Sequence, residues 1–507
     1  MANTTIKIPR AHLIMALCLP LAVMLGYFLA EPMESGSMAV IVMIMFVLAV
    51  PLMMKWHHPV LILSWNACVF PAFVPGQPQI WIPIAAASLL FAVLNRSVNP
   101  EAKFIYVPSI ANSLLFLAAV ILVTAFANGG IGIRSLGGAN YGGKNYVYIF
   151  MAVAGFFAFS SLRIPPEKAA LYVGMFFLSG LSGIMPNLIY KLGPAFYPLF
   201  YLFPASLAMD QARADYALSP GIFRINGLSP VGTSLYCYIL ARYGIRGTFD
   251  FSKPWRFLWL MLAVACCALC GYRSSLILLI ITFGVLFYFE GLHKTRWLPT
   301  LLAVSLILGL IVLPQADKLP WVVQRSISFL PGKIDPIARE NAEASTDWRL
   351  DIWKQALPHV PEHLLMGKGY SMDPNALSQT STARNWSTQA YDWAYMTGDF
   401  HSGPLSVLIP TGIWGTGAFI WFLIAAGSYL LLNHRRSELK LQRFNTFILA
   451  FFIAKVIAFC FVFGSFQNDL AGFTGLVGLS LSLNGQAETV VESEAAEPEQ
   501  SALEAFS

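Results

Sequence analysis

Two residue types stand where chemistry could be done: arginines that interrupt apolar runs, and a histidine that closes a long polar stretch. Arg273 lies in Gly-Tyr-Arg-Ser-Ser-Leu, between two apolar segments with almost no loop between them. A guanidinium there must sit at or just below a membrane–water boundary. Its planar donors match a phosphate, and unlike a lysine it keeps its charge at that depth. Arg224, in Gly-Ile-Phe-Arg-Ile-Asn-Gly, stands just before another apolar segment, where helix-terminal N–H groups reinforce anion binding. For a single arginine of this kind, snorkelling at a helix end is the commoner explanation.

His401 lies in Gly-Asp-Phe-His-Ser-Gly, where the chain returns to apolar sequence. Imidazole titrates nearest neutrality and can take a proton from an attacking hydroxyl, and Asp399 is close enough to orient it. An interfacial histidine bonded to backbone is the plain alternative. Arg349 projects from Ser-Thr-Asp-Trp-Arg-Leu-Asp-Ile-Trp, in which Trp348, Ile352 and Gln355 or Ala356 recur at helical spacing. That pattern predicts an amphipathic helix lying on the membrane, with Asp347 and Asp351 offering Arg349 weak surface ion pairs. Lys368 lies between Gly367 and Gly369, a lone G-x-G that signals phosphate binding only weakly. His359 and His363 are four apart, but Pro358 and Pro361 disfavour the regular helix that a zinc pair needs, so no metal or other cofactor is expected.

The elements that position these residues are set by composition. The chain has 507 residues, 57% hydrophobic and 11% charged, with mean hydropathy +0.63, and its apolar residues come in runs near twenty long. The fold class is therefore all-α, a polytopic transmembrane bundle of about 12–14 spans with one large outward loop. The net charge of +6 is spread in short clusters between apolar runs, which encodes orientation and argues against nucleic acid. All seven cysteines fall in apolar segments, where Cys266, Cys267 and Cys270 read as small packing residues.

Taking the basic clusters as cytoplasmic gives spans near 11–30, 37–54, 59–75, 79–94, 108–127, 145–162 and 169–188. After an interfacial or re-entrant stretch at 194–209 come 226–242, 256–271, 274–290 and 297–314, then 404–432, 444–464 and 469–484. The regions are N-terminal helices 1–220, central helices 221–314, a periplasmic loop 315–403, C-terminal helices 404–486 and an acidic tail 487–507 expected to be disordered. This threading puts Arg213, Arg224, Arg273 and the large loop outside, against the positive-inside trend, and charge kept against that trend is a functional-site hypothesis. The glycine-rich stretch 129–146, with Arg134 and Lys144, reads as flexible outer turns.

An arginine before a mid-chain span, G-Y-R-S-S at an outer turn, a loop with W-R-x-x-I-W, then G-x-G, then H-S before G-I-W-G: this order resembles the bacterial O-antigen ligase and O-antigen polymerase family over roughly residues 220–430. The resemblance implies a GT-C-type glycosyltransferase of the inner membrane. It would move a glycan from undecaprenyl diphosphate to a hydroxyl of an acceptor glycan or glycolipid, facing the periplasm. It carries His401 over as general base and Arg224 and Arg273 as diphosphate contacts. Arg349, Arg213, Lys368 and Asp399 are the further candidates for substrate binding. H-S stands where many members have H-N. A polymerase of lipid-linked repeats is the nearest alternative, and a flippase of lipid-linked sugars, which would carry more mid-span charge than Lys455, is a more distant one.

Overall fold

The computed structural model describes residues 35–72, 76–99, 104–132, 141–215, 222–375 and 386–485, with isolated residues before 35. The first expected span, Arg134 and the acidic tail lie outside these residues. The described chain is helical, with one isolated backbone bridge, Tyr141 to Met372, and no strand. The helices are α1 (Ser35–Ser64), α2 (Trp81–Val98), α3 (Pro108–Ala127), α4 (Gly143–Phe159), α5 (Ala169–Leu178), α6 (Met185–Leu192) and α7 (Met209–Asp215). They continue with α8 (Leu228–Thr248), α9 (Trp255–Leu269), α10 (Arg273–Phe289), α11 (Trp297–Val312) and α12 (Trp321–Ser326). The loop and last helices are α13 (Pro336–Ala356), α14 (Val360–His363), α15 (Trp386–Thr397), α16 (Gly403–Arg436), α17 (Gln442–Phe461) and α18 (Phe466–Asn484).

Among the described residues, five helical stretches are long and apolar enough to cross a membrane: those at 108–127, 166–192, 297–318, 403–436 and 442–461. Shorter apolar helices at 81–97, 143–159, 255–269 and 273–289 lie among them, as polytopic helical membrane proteins require. One extended core joins α1 to α5, α8 to α10 and α16 to α18, and it is rich in edge-to-face aromatic pairs such as Trp65–Phe159 and Phe419–Phe466. Glycines let the large rings in: a Cβ at Gly155 or Gly475 would strike the Trp65 indole. By contrast α11 has no buried residue, and apart from Trp297 and Leu301, which touch the core, most of its large apolar side chains are exposed.

The separate span expected at 59–75 is not a helix of its own. α1 runs unbroken through Pro51 and Pro59 and stops at Ser64, after which the chain is irregular. This unwound stretch survives because its polar groups are met by neighbours. Asn66 donates to the Phe176 carbonyl, the Cys68 N–H to Ser182 Oγ, and the Phe70 and Ala72 N–H groups to the Leu202 and Tyr201 carbonyls. The stretch 194–209 supplies those carbonyls from the end of a 3-10 turn, Pro194–Tyr201, and the residue after it, and continues in a second short turn, Ala205–Ala208, rather than in a crossing helix.

Candidate active site

The loop between α11 and α16 folds back on the bundle as a small helical layer. Asp335 caps α13, accepting from the Ile337 N–H at 2.8 Å with Pro336 in the first turn. The expected amphipathic helix is thus longer at its start than the Trp348 pattern indicated. Its apolar face is also spent on protein: Ile352 and Ala356 pack with Ala394 of α15, Phe400 and Ile409 in a second, smaller core.

Each residue of W-R-x-x-I-W has a task in this packing. Ile352 fills the small core, and the Trp353 Nε1–H holds the Phe400 carbonyl at 2.9 Å, which fixes the turn that carries His401. Trp348 lies against the His401 ring at 4.8 Å between centroids, and Arg349 points to the Phe463 ring, 5.6 Å away. Phe463 also stacks on His401 at 5.1 Å, so one ring supports both the histidine and the arginine. His401 itself has φ +52°, a conformation uncommon outside glycine and a mark of local strain. Its N–H is held by Asp399 Oδ1 at 3.2 Å. The same oxygen is 3.4 Å from Nδ1 but is not aligned for a hydrogen bond, so Asp399 acts on the imidazole through charge. Burial lowers the His401 pKa below 6.5, Asp399 opposes this, and Arg349 adds to it; the ring is neutral at pH 7 and free to accept a proton.

Arginines gather beside this ring. Arg273, the first residue of α10, donates from one terminal nitrogen to the Ala342 carbonyl at 2.8 Å and to Thr346 Oγ1 at 2.9 Å, tying the bundle turn to α13. Arg224 lies over the Tyr272 ring at 5.2 Å, and Tyr272 is bonded in turn to Asn226. Gly271, at φ +76°, makes this approach possible, because a Cβ there would press on the Arg224 stem at 3.1 Å.

Sequence reasoning passed over a fourth member, Arg325 in α12. It is only 3% exposed, donates from Nε to Asn341 Oδ1 at 2.6 Å and from a terminal nitrogen to the Gly271 carbonyl. Burial, then repulsion from Arg224, Arg273 and Arg349, pulls its pKa down to about 10, which still leaves it charged at neutral pH. Arg349 is lowered by burial and by Arg273 and Arg224, so the four guanidinium groups share one field. The one signal available in sequence was an arginine on the outward side of the threading, outside any motif.

Lys368 and its flanking glycines are not a phosphate cradle. The Lys368 and Gly369 N–H groups bond the Ile409 and Pro410 carbonyls, which are available because α16 is kinked at Gly412 and Ile413 donates to Leu364 instead. Gly367, at φ +67°, allows this backbone-to-backbone contact: a Cβ would lie 2.5 Å from the Pro410 oxygen. The Lys368 ammonium sits over the Tyr395 ring at 4.6 Å, and burial lowers its pKa to about 8. Arg213 is on exposed α7, paired with Asp210 at 3.7 Å, and among the described residues nothing joins it to the arginine cluster. His359 and His363 are engaged separately, with Glu362 and Tyr395. The glycine-rich stretch is anchored at its end: the Tyr141 and Met372 backbones bond each other, and Gly142 has no room for a Cβ against Tyr370.

The fold and site together define a polytopic helical membrane protein with a neutral histidine beside a cationic cluster at the base of a large loop. The O-Antigen ligase family model matches residues 257–420, from α9 through the loop to the first half of α16, so this part of the chain is similar to O-antigen ligases. The matched segment holds Arg273, Arg325, Arg349 and His401, while Arg224 lies before it. The match supports a function of the O-antigen ligase or polymerase type in general. No curated protein matches the chain.

Proposed function

We propose that this protein is a membrane glycosyltransferase that moves a glycan from undecaprenyl diphosphate to an acceptor hydroxyl on the periplasmic face of the bacterial inner membrane, without metal or nucleotide. The observation that carries this reading is the convergence of Arg224, Arg273, Arg325 and Arg349, with Arg349 acting directly on neutral His401 and Asp399 opposing it. His401 takes the proton of the acceptor hydroxyl as its oxygen bonds the anomeric carbon. The bond from that carbon to the diphosphate oxygen breaks, and negative charge grows on the leaving diphosphate. Guanidinium groups held in place before reaction stabilise that charge most where it develops, in a site partly shielded from water. The proton then leaves His401 to solvent.

The test is transfer from purified undecaprenyl-diphosphate-linked glycan in detergent with a chelator, comparing wild type with His401→Ala. Release of undecaprenyl diphosphate by wild type alone supports the assignment, and the product tells ligase from polymerase by its acceptor. Activity retained in H401A rejects the base. Loss of transfer by chelator rejects metal independence, and movement of labelled lipid-linked sugar across vesicles without turnover would favour an exporter.

A further inference from the structure

Below the arginine cluster a cavity enters the helix bundle in two adjoining lobes. The first, about 170 Å³, is lined by Ser274 and Ser275, the residues after Arg273, and by Phe463, the ring that supports His401 and Arg349. The second, about 280 Å³, continues between α5, α8, α17 and α18. The lobes share Ser229, Thr233, Leu278 and Lys455.

Lys455 is an ionisable residue within the apolar helix α17, a costly position. Asp469 Oδ1 lies 3.7 Å from its ammonium and the Phe473 ring 5.7 Å away, and among the described residues the ammonium makes no hydrogen bond. Asp469 is held from its other side, where Oδ2 accepts from the Ser465 N–H at 2.9 Å. Gly472 keeps the space open, since a Cβ there would come within 2.9 Å of the Lys455 nitrogen. A buried ion pair that serves only to join two helices needs close, fully hydrogen-bonded geometry to offset desolvation. This one is loose and only partly buried, with 20% and 26% of the two side chains exposed, and Lys455 lines a cavity that also carries the hydroxyls of Ser229, Thr233, Ser274 and Ser275.

We propose that Lys455 binds the prenyl-bearing phosphate of the carrier lipid, while the arginines bind the phosphate that bears the sugar. This rests on the donor reading given above. With the glycan directed toward the loop, the prenyl-side phosphate lies one P–O–P linkage deeper, where the first lobe begins at Ser274. There it meets Lys455 and the hydroxyls of Ser229, Thr233 and Ser275, and Leu278, Phe459 and Val462 offer apolar wall to the first isoprene units.

Binding of farnesyl monophosphate and of undecaprenyl diphosphate to the full-length purified protein tests the assignment, with melting temperature recorded for each variant. Lys455→Met should weaken farnesyl monophosphate about tenfold, and Lys455→Arg should stay within about threefold of wild type. Asp469→Asn should tighten binding, because it removes a repelling carboxylate. A purely structural pair gives a different pattern, in which both neutralising variants weaken binding or neither changes it; that outcome overturns the proposal. If K455M does not fold, the sign of the D469N effect decides. Inorganic phosphate binding as tightly as farnesyl monophosphate would also overturn it, in favour of a free-anion site. A wild type that binds undecaprenyl diphosphate but not farnesyl monophosphate rejects the Lys455 assignment alone, whereas one that binds neither rejects the donor reading with it.

Discussion

Replacing Asp399 with asparagine isolates what its charge does to His401. Asparagine keeps the oxygen that accepts the His401 N–H, so the turn stands, but it removes a negative charge 3.4 Å from Nδ1. Unit charges at that distance attract by about 1 kcal/mol at the dielectric of water and about 5 kcal/mol at an effective value of 20. Both side chains keep about a quarter of their surface open, 25% and 24%, so the lower end applies: about 1.4 kcal/mol, or one pH unit. The carboxylate favours imidazolium and raises the pKa, whereas burial, the largest influence, and Arg349 lower it. The acid limb of kcat/KM, which reports the free enzyme, is therefore expected below pH 6.5 in wild type and about one pH unit lower in D399N. The plateau should fall by about tenfold or less, as the imidazole becomes a weaker base without losing an aligned hydrogen bond. Undecaprenyl diphosphate release measured from pH 4.5 to 9 gives both quantities. A wild-type limb above 6.5, or a D399N limb that stays or moves upward, refutes the reasoning.

Arg349→Gln removes a group that lowers the same pKa, so the acid limb should move toward higher pH, opposite in sign to D399N, while donor KM rises. Arg325→Lys cannot reach both Asn341 and the Gly271 carbonyl; thermal unfolding in detergent should show a loss of about 1–3 kcal/mol, and an unchanged melting temperature would remove its clamping role. Gly367→Ala forces a Cβ against the Pro410 carbonyl at positive φ and should cost more than about 1 kcal/mol, whereas Gly309→Ala in α11, where the nearest atom is 3.8 Å away, should be neutral or stabilising.

The apolar runs made the helical bundle legible, and local order did the same for the turn Gly271–Arg273 and for His401 just before α16. Those features depend on residues near one another in sequence. The unwound segment after Ser64 was hidden because its stability comes from carbonyls and hydroxyls over a hundred positions away, at Phe176, Ser182, Tyr201 and Leu202. The G-x-G at 367–369 resembled an anion nest for a similar reason. The same backbone freedom that lets N–H groups converge on phosphate lets them reach a kinked helix, and only the packing of α16 decides which. Arg325 sits in a six-residue helix with no periodic pattern, so nothing local marked it as a companion of Arg273.

Charge balance discriminates between the remaining readings of the cluster. Arg325 is almost fully buried and feels Arg224, Arg273 and Arg349, which raise the cost of keeping it charged, as Arg273 and Arg224 do for Arg349. Had the cluster served only to anchor helix ends, each guanidinium would snorkel separately to water or take a carboxylate, as Arg213 does with Asp210. Instead Arg273 and Arg325 hold carbonyls, an amide and a hydroxyl, neutral acceptors that fix direction without cancelling charge. A ligand that carries several negative charges at short spacing removes the mutual repulsion of all four at once, and one that gains charge during reaction removes more of it at the transition state than in the ground state. A diphosphate leaving group has both properties.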